Sequence, residues 1–190
     1  MNNNNIEERL KEVTIGQINI LNSTIYLTEY NPEWAYKFEA LKNNINKALG
    51  EKVIKLEHVG STSIINMPAK PIIDLVLEVE DSSIEISYVP QLEEIGYKLK
   101  IREPNWFEHR LLKSSDNKVN LHVFSKGCKE SDRMISFRDW LNKHHQDFEL
   151  YKNRKLELSK KTWKYTQEYA DAKSEVVLDI LTRAKLINDK

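Results

Sequence analysis

The strongest constraint on the fold is a Gly-Ser turn that joins two apolar stretches, the second of which contains one carboxylate. Residues 53–59 and 71–79 are short, apolar and bounded by turn-forming residues, so we predict that they form neighbouring buried strands. Gly60 and Ser61 end the first strand, and Asp74 follows among aliphatic side chains. A charged group in that position is costly to bury unless it is paired or bound to a metal. The pattern therefore indicates a site as well as a fold.

Turn and carboxylate together suit the chemistry of phosphates. Gly60 lets the backbone approach a phosphate, and the hydroxyl and amide groups of Ser61 and Thr62 can bind its oxygens. The carboxylate of Asp74 can hold a divalent cation, and Lys70 lies at the mouth of its strand, within reach of a phosphate. The competing interpretation is that Asp74 is bonded to the turn or to a buried Arg or Lys.

The remaining pattern predicts an α+β or mixed α/β fold. Spaced apolar residues indicate a helix that begins at Asn31-Pro32 and ends at Gly50. A short helix, another strand and a hairpin follow, and the chain then becomes helical over residues 131–144, 146–160 and 163–187. Residues 1–24 are polar and are interpreted as an N-terminal extension to a single domain that covers 25–187.

Composition narrows the class of partner. The chain has 190 residues, 29 of them basic and 29 acidic, so no global charge favours nucleic acid or an anionic membrane. Its single cysteine, Cys128, forms no internal disulfide and is typical of a reducing compartment. No apolar run approaches the ~20 residues that span a bilayer. We therefore expect a cytoplasmic protein whose partner is a small molecule or nucleotide.

A polar turn over residues 114–117 separates two apolar stretches and predicts a β-hairpin. With the turn centred on Ser115 and Asp116, His109 lies directly opposite His122. Directly paired residues share a face, with Cβ atoms about 4.5–5.5 Å apart, so the two imidazoles could share a metal ion or a phosphate. A slip of one residue would place them on opposite faces. The alternative is two half-buried histidines, each bonded to backbone or water.

These segments, with others along the chain, resemble the GrpB family. The likeness extends from about residue 25 to the C-terminus and is carried by residues 30–34, 57–62, 69–74, 101–104, 108–110, 121–125, 137–141 and 169–173. It implies an α+β fold with a nucleotidyltransferase-like mixed β-sheet, flanked by helices and followed by a C-terminal helical portion. Because Arg138 and Lys173 lie in matching segments, the resemblance also supports them as phosphate ligands, and it supports a role for His109 and His122.

The chain departs from what this resemblance implies at one position. Active nucleotidyltransferases place two carboxylates two residues apart on one strand, where both coordinate a pair of Mg²⁺ ions. Here the second position is Val76. Either Asp74, His109 and His122 complete a metal site, which would favour Zn²⁺ or Mn²⁺ over Mg²⁺, or the two-metal mechanism is absent.

Three functions remain open from the sequence. The first is transfer of a nucleotidyl or phosphoryl group from ATP or another nucleoside triphosphate. In that case Asp74 and His122 would be catalytic, and Ser61, Lys70 and Arg138 would neutralise phosphate charge. The second is a non-catalytic module that binds a nucleotide or small molecule after losing the second carboxylate. The third is a metal-dependent phosphoester hydrolase, which paired histidines would suit.

Overall fold

The computed structural model describes residues 3–186. Within that range the helices are α1 (Asn3–Val13), α2 (Glu33–Leu49), α3 (Val89–Glu94), α4 (Lys129–Lys143), α5 (His145–Ser159), α6 (Thr166–Asp171) and α7 (Ser174–Arg183). The strands are β1 (Lys55–Val59), β2 (Ile73–Val79), β3 (Tyr97–Glu103), β4 (His109–Ser114) and β5 (Val119–Ser125). Among the helices so described, none is long and apolar enough to cross a membrane.

The five strands form one mixed sheet in the order β1-β2-β5-β4-β3. Strands β2 and β5 are parallel, whereas the other neighbouring pairs are antiparallel. The predicted strands on either side of the Gly-Ser turn are confirmed as β1 and β2, with Val59 opposite Asp74. Asp74 therefore lies near the start of the second strand, beside the turn that ends the first.

One face of the sheet packs against α2 and α3. The predicted helix start is confirmed, because the Asn31 side chain accepts a hydrogen bond from the Glu33 amide at 2.9 Å, and Gly50 ends α2 with φ of 58°. The apolar residues on this side form the largest core cluster, which includes Trp34, Phe38, Ile45, Leu75, Leu77, Leu112, Leu121 and Val123. This core leaves the side chains of the opposite face free to form a site.

The opposite face is covered over only part of its area. Helix α4 packs on Val59, Val76 and Phe124, which form a small buried cluster. Asp74 lies two residues from Val76 on β2, so its side chain projects from the same side of the sheet. Asn120 is the register partner of Asp74 and shares that side, and both residues lie beyond the helix. The loop after the Gly-Ser turn packs against α4, α5 and α7 through a further apolar cluster. The uncovered part of the face becomes the floor of a cavity.

The hairpin register differs from the predicted one by two residues. His122 lies opposite Leu111, so the predicted direct pairing of His109 with His122 is wrong. Asp116 Oδ1 accepts hydrogen bonds from Ser114 Oγ at 2.6 Å and from the Lys118 amide at 3.1 Å, which centres the turn one residue later. A shift of two residues preserves the face on which a side chain lies, so both histidines still project from the same side.

The helical C-terminus also differs from the prediction. A single helix over residues 163–187 is wrong, since α6 and α7 are separate and a turn at Ala172 and Lys173 divides them. A capping box between Tyr165 and Glu168 starts α6 later than expected. Residue 187, the end of the predicted helix and domain, lies outside the described residues.

The N-terminal segment packs on the body of the protein. Thr14 forms an antiparallel bridge with Ile101, and the Ile15 amide donates to the Lys100 carbonyl at 2.8 Å. Farther back, Glu7 Oε2 accepts from Lys164 Nζ and from Tyr165 Oη, at 2.8 and 2.9 Å. Within the described range, the segment interpreted as an extension thus forms one wall of the structure.

Candidate functional site

A cavity of about 580 Å³ lies over the uncovered part of the sheet. Strands β2, β4 and β5 supply its floor, and α5, α6, the α6–α7 turn and the N-terminal segment supply its walls. The predicted residues that line it are Ser61, Thr62, Lys70, Asp74, His122 and Lys173. Six side chains predicted from separate parts of the sequence thus meet at one place.

The Gly-Ser turn is held against Asp74 by a backbone conformation that favours glycine. Gly60 has φ of 69° and ψ of −172°, and a Cβ atom there would lie 2.5 Å from Asp74 Oδ2. Residues Ser61–Ser63 form one turn of 3₁₀ helix, in which Ser63 Oγ donates to the Gly60 carbonyl at 2.6 Å. Thr62 is buried and bonds with the His58 ring at 2.9 Å. The turn and the Asp74 carboxylate are therefore in close contact.

Asp74 is held from the neighbouring strand. Its Oδ1 atom accepts a hydrogen bond from Asn120 Nδ2 at 2.8 Å, and His122 Nε2 lies 3.9 Å from the same oxygen. Burial raises the pKa of this carboxyl, but His122, Asn120 and Lys70 together outweigh burial and hold the pKa below its usual value. Asp74 is thus an anion whose side chain is partly exposed in the cavity.

Lysine side chains surround that single carboxylate. Among the described residues that line the cavity, the charged groups besides Asp74 are Lys70, Lys100, Lys113, Lys155 and Lys173. Burial, reinforced by Lys173, lowers the pKa of Lys70 to about 8, and burial lowers that of Lys173 to about 8. Burial also lowers the pKa of Lys155 well below its usual value, and the Lys155 Nζ donates to the Pro68 carbonyl. The cavity therefore carries an excess of positive charge.

Sequence reasoning missed three of these lysines. Lys113 lies two residues from Leu111 on β4, so strand alternation around the hairpin places it on the histidine face and was the available signal. Lys100 lies where the pairing of β3 with β4 is irregular, between Leu99 and Ile101. Lys155 lies on α5, where the sequence pattern of polar and apolar residues does not distinguish a buried lysine from a solvated one.

The two predicted histidines form part of a row of hydrogen bonds. His109 Nδ1 lies 2.7 Å from Glu103 Oε2, and His109 Nε2 lies 3.0 Å from His122 Nδ1. The His109 ring is buried and packs on Phe124, with ring centroids 4.9 Å apart. Burial lowers the pKa of His109, although Glu103 acts in the opposite direction. His122 therefore reaches the cavity, whereas His109 lies behind it.

This arrangement does not fit a pair of Mg²⁺ ions. Val76 is 0% exposed and packs in the apolar cluster under α4, so the second carboxylate position does not face the cavity. Both ring nitrogens of His109 already have partners in the protein. Across residues 3–186, no group of three or more His, Cys, Asp or Glu side chains is arranged to hold a metal ion. A single cation bound at Asp74 and His122 stays a prediction.

Arg138 lies away from the cavity. Its guanidinium donates to Glu57 Oε2 at 2.9 Å and to the His58 carbonyl at 2.6 Å, and it also pairs with Asp139. The bonds to Glu57 and His58 connect α4 with β1. Among the described residues that line the cavity, Arg138 is absent. The structure thus separates Arg138 from Lys70 and Lys173, with which the sequence had grouped it.

Known proteins resemble this chain over most of its length. A family model described as GrpB protein matches residues 24–183. A UPF0157 protein of Halalkalibacterium halodurans is 49% identical over 178 residues, which are 94% of this chain and 91% of that protein. One from Streptomyces coelicolor is 38% identical over 160 residues, 84% of each chain.

A solved structure agrees with the fold. The crystal structure of GrpB from Enterococcus faecalis superposes with a TM-score of 0.64 at 26% identity, covering 82% of this chain and 99% of that one. The predicted α+β fold class is confirmed: a mixed sheet is flanked by helices and followed by a helical C-terminal portion. The likeness of this sheet to that of nucleotidyltransferases stays a prediction.

Proposed function

The chain belongs to the GrpB family, and we propose that its cavity binds a nucleotide or another phosphorylated small molecule. The observation that carries this proposal is the group of five lysines around the single carboxylate of Asp74. A volume of about 580 Å³ is in the range of small-molecule sites. The net charge of the whole chain is zero, so the excess of positive charge around the cavity is a local feature.

The charge of the cavity favours a polyanion over a neutral ligand. Without a ligand, burial lowers the pKa of Lys70, Lys155 and Lys173, which means that each ammonium group is destabilised there. Phosphate oxygens would supply the missing opposite charge and hydrogen-bond acceptors. Ser61 and Thr62 in the adjoining turn offer backbone amides to the same ligand. Binding would thus relieve an unfavourable electrostatic state of the free protein.

Group transfer is the further part of this proposal. Asp74, with or without His122, would bind one Mg²⁺, Mn²⁺ or Zn²⁺ ion, and the lysines would stabilise charge on a transferred phosphoryl or nucleotidyl group. The second candidate function is a binding module without catalysis, and the buried position of Val76 favours it. Metal-dependent hydrolysis of a phosphoester, the third alternative, would use the same residues.

Binding is tested by substituting two cavity lysines. ATP and inorganic tripolyphosphate, each with and without Mg²⁺, should raise the melting temperature of the protein because they bind only the native state. Lys70→Ala and Lys173→Ala should each weaken binding about tenfold, equivalent to about 1.4 kcal/mol. Lys37→Ala is the matched control, since Lys37 is exposed on α2, across the sheet. Isothermal titration calorimetry measures the affinities. No binding of either compound at millimolar concentration, or equal losses in all three variants, would contradict the proposal.

Binding should also depend on pH in a defined direction. Below about pH 8 Lys70 and Lys173 are mostly charged both with and without ligand, so their contribution to the affinity is nearly constant. Above about pH 8 the free lysines lose protons that the bound state needs, so affinity falls by about tenfold per participating lysine between pH 7 and 9. Lys173→Arg should retain binding and show a smaller fall, because arginine stays charged throughout this range. Calorimetric titrations with tripolyphosphate at pH 7, 8 and 9 measure this change. An affinity that rises with pH would refute the assignment of Lys70 and Lys173 to the binding site.

A further inference from the structure

The cavity extends across several strands of the sheet. Register partners run from His122 on β5 through Leu111 on β4 to Ile101 on β3, and Ile101 forms a bridge with Thr14. All four residues line the cavity. Neighbouring strands lie about 4.8 Å apart, so β3 lies three spacings, or about 14 Å, from the strand that carries Asp74. The cavity therefore has one end at Asp74 and the Gly-Ser turn, and another at β3 and the N-terminal segment.

The lysines of the cavity are gathered at its first end. Four of the five interact electrostatically with Asp74: Lys70, Lys113, Lys155 and Lys173. The fifth, Lys100, lies on β3. We therefore expect the phosphate groups of a ligand to lie beside the Gly-Ser turn, where opposite charge is most concentrated.

The end beside β3 has a mainly apolar surface. Leu111 and Ile101 form its floor, and Leu10 and Ile18 of the N-terminal segment line its wall. The ring of Tyr165 also lines the cavity, and its hydroxyl donates to a carboxylate of α1 at 2.9 Å. Helix α1 in turn contacts β3. A ligand that covers these side chains removes apolar surface from water, which favours binding.

Polar side chains of the same segment accompany this apolar surface. Gln17 and Asn19 line the cavity and are exposed, and each amide group offers both donors and an acceptor. Such amides pair with the edges of nucleobases, where donors and acceptors lie side by side. An alkyl chain would leave the amides unpaired, and a sugar would leave the apolar surface without a matching partner. A planar heterocycle, with apolar faces and a polar edge, matches both features.

The N-terminal segment is held over the cavity from both sides. The Ile15 amide donates to a carbonyl of β3, and the Leu21 amide donates to the Lys164 carbonyl, both at 2.8 Å. Residues 16–20 pass between these two attachments and supply the lining side chains. The segment precedes the stretch 24–183 that the family model matches, so the family match by itself does not indicate this end of the cavity.

We propose that the N-terminal segment is the specificity-determining wall of the cavity, where Ile18 packs on a planar heterocycle of the ligand and Gln17 and Asn19 bind its polar edge. This inference rests on the proposed function and narrows its ligand to a nucleotide. The phosphates lie beside Asp74, and the base lies beside β3. A phosphorylated sugar or an inorganic polyphosphate would occupy only the charged end.

Two compounds of equal charge test the placement of the heterocycle. ATP and methyl triphosphate carry the same triphosphate group, but only ATP has a base. Calorimetry with Mg²⁺ should show that the wild-type protein binds ATP at least about tenfold more tightly, because only ATP also covers the apolar end. Equal affinities for the two compounds would overturn the inference.

Two isoleucines of the segment supply a variant and its matched control. Ile18 lines the cavity, whereas Ile20 is 59% exposed and is not among the described lining residues. Ile18→Ala should weaken ATP binding about tenfold and leave binding of methyl triphosphate unchanged, which also shows that the variant is folded. Ile20→Ala should bind both compounds like the wild-type protein. Equal losses of ATP affinity in the two variants, or parallel losses of both compounds in Ile18→Ala, would contradict the assignment.

The two amides are tested by the choice of base. Affinities for ATP, GTP, CTP and UTP should differ in the wild-type protein, and Gln17→Ala or Asn19→Ala should reduce the preference by at least about fivefold. Methyl triphosphate, which has no base edge, should bind both variants unchanged. An order and spread of affinities that neither substitution alters would refute the role of the amides.

The same titrations separate this inference from the proposed function. Binding of methyl triphosphate without tighter binding of ATP would retain the anion site and overturn the heterocycle site alone. Absence of binding by methyl triphosphate and by tripolyphosphate would overturn the proposed function. In that case adenosine decides the heterocycle site: binding that Ile18→Ala weakens would support it, and no binding of adenosine at millimolar concentration would overturn it as well.

Discussion

Val76→Asp is expected to lower the free energy of unfolding by about 3 kcal/mol or more, and not to create a second metal ligand. Val76 is 0% exposed and packs against Val59 and Phe124 beneath α4. A carboxylate there would lose its hydration without reaching the cavity. The register partner of Val76 on β1 is Glu57, so the new charge would also lie near an existing carboxylate.

Urea denaturation at pH 7 measures this effect, and its pH dependence identifies the cause. Burial raises the pKa of the introduced carboxyl, so its destabilisation should shrink as the pH is lowered from 7 to 5 and the group becomes neutral. Val76→Ala is the control, since it removes packing at the same position without adding charge. A stable Val76→Asp variant that gains Mg²⁺-dependent nucleotidyl transfer would show that position 76 belongs to the active site.

Local pattern was sufficient to predict the elements that carry the site. The Gly-Ser turn, the strand that contains Asp74 and the helix from Asn31 to Gly50 have short-range signals in turn residues, apolar runs and caps. It was also predictable that His109 and His122 share a face, because a register shift of two residues leaves every side chain on its original face. Their pairing was not, since it depends on hydrogen bonds that Asp116 makes inside the turn.

The charge of the cavity could not be predicted in the same way. Lys155 and Lys173 belong to the C-terminal helical portion, and only tertiary packing brings them over the sheet. The family resemblance indicated Lys173, whereas nothing in the sequence indicated Lys155. Arg138 was predicted to bind phosphate, but its bonds to Glu57 and to the His58 carbonyl hold it away from the cavity. Tertiary packing decides its place too. Glu103 lies in a matching segment, yet only the structure reveals its contact with His109.

Gly60→Ala should destabilise the protein by about 3 kcal/mol and weaken binding of ATP or tripolyphosphate at least tenfold. Two effects combine at this position. The residue has φ of 69°, which strains any side chain, and the added methyl group would lie 2.5 Å from Asp74 Oδ2 and 3.0 Å from Asp74 Cβ. Asp74 cannot move away freely, because Asn120 holds its other oxygen at 2.8 Å.

Gly50→Ala separates these two effects. Gly50 has a similar φ of 58°, but nothing lies within 4 Å of the position that its Cβ would occupy. Backbone strain alone should therefore cost about 1–2 kcal/mol there, with binding unchanged. The additional loss in Gly60→Ala, measured by urea denaturation and by calorimetry with tripolyphosphate, reports the contact between the turn and Asp74. Equal losses of stability in the two variants, with binding retained in both, would mean that this close approach does not shape the site.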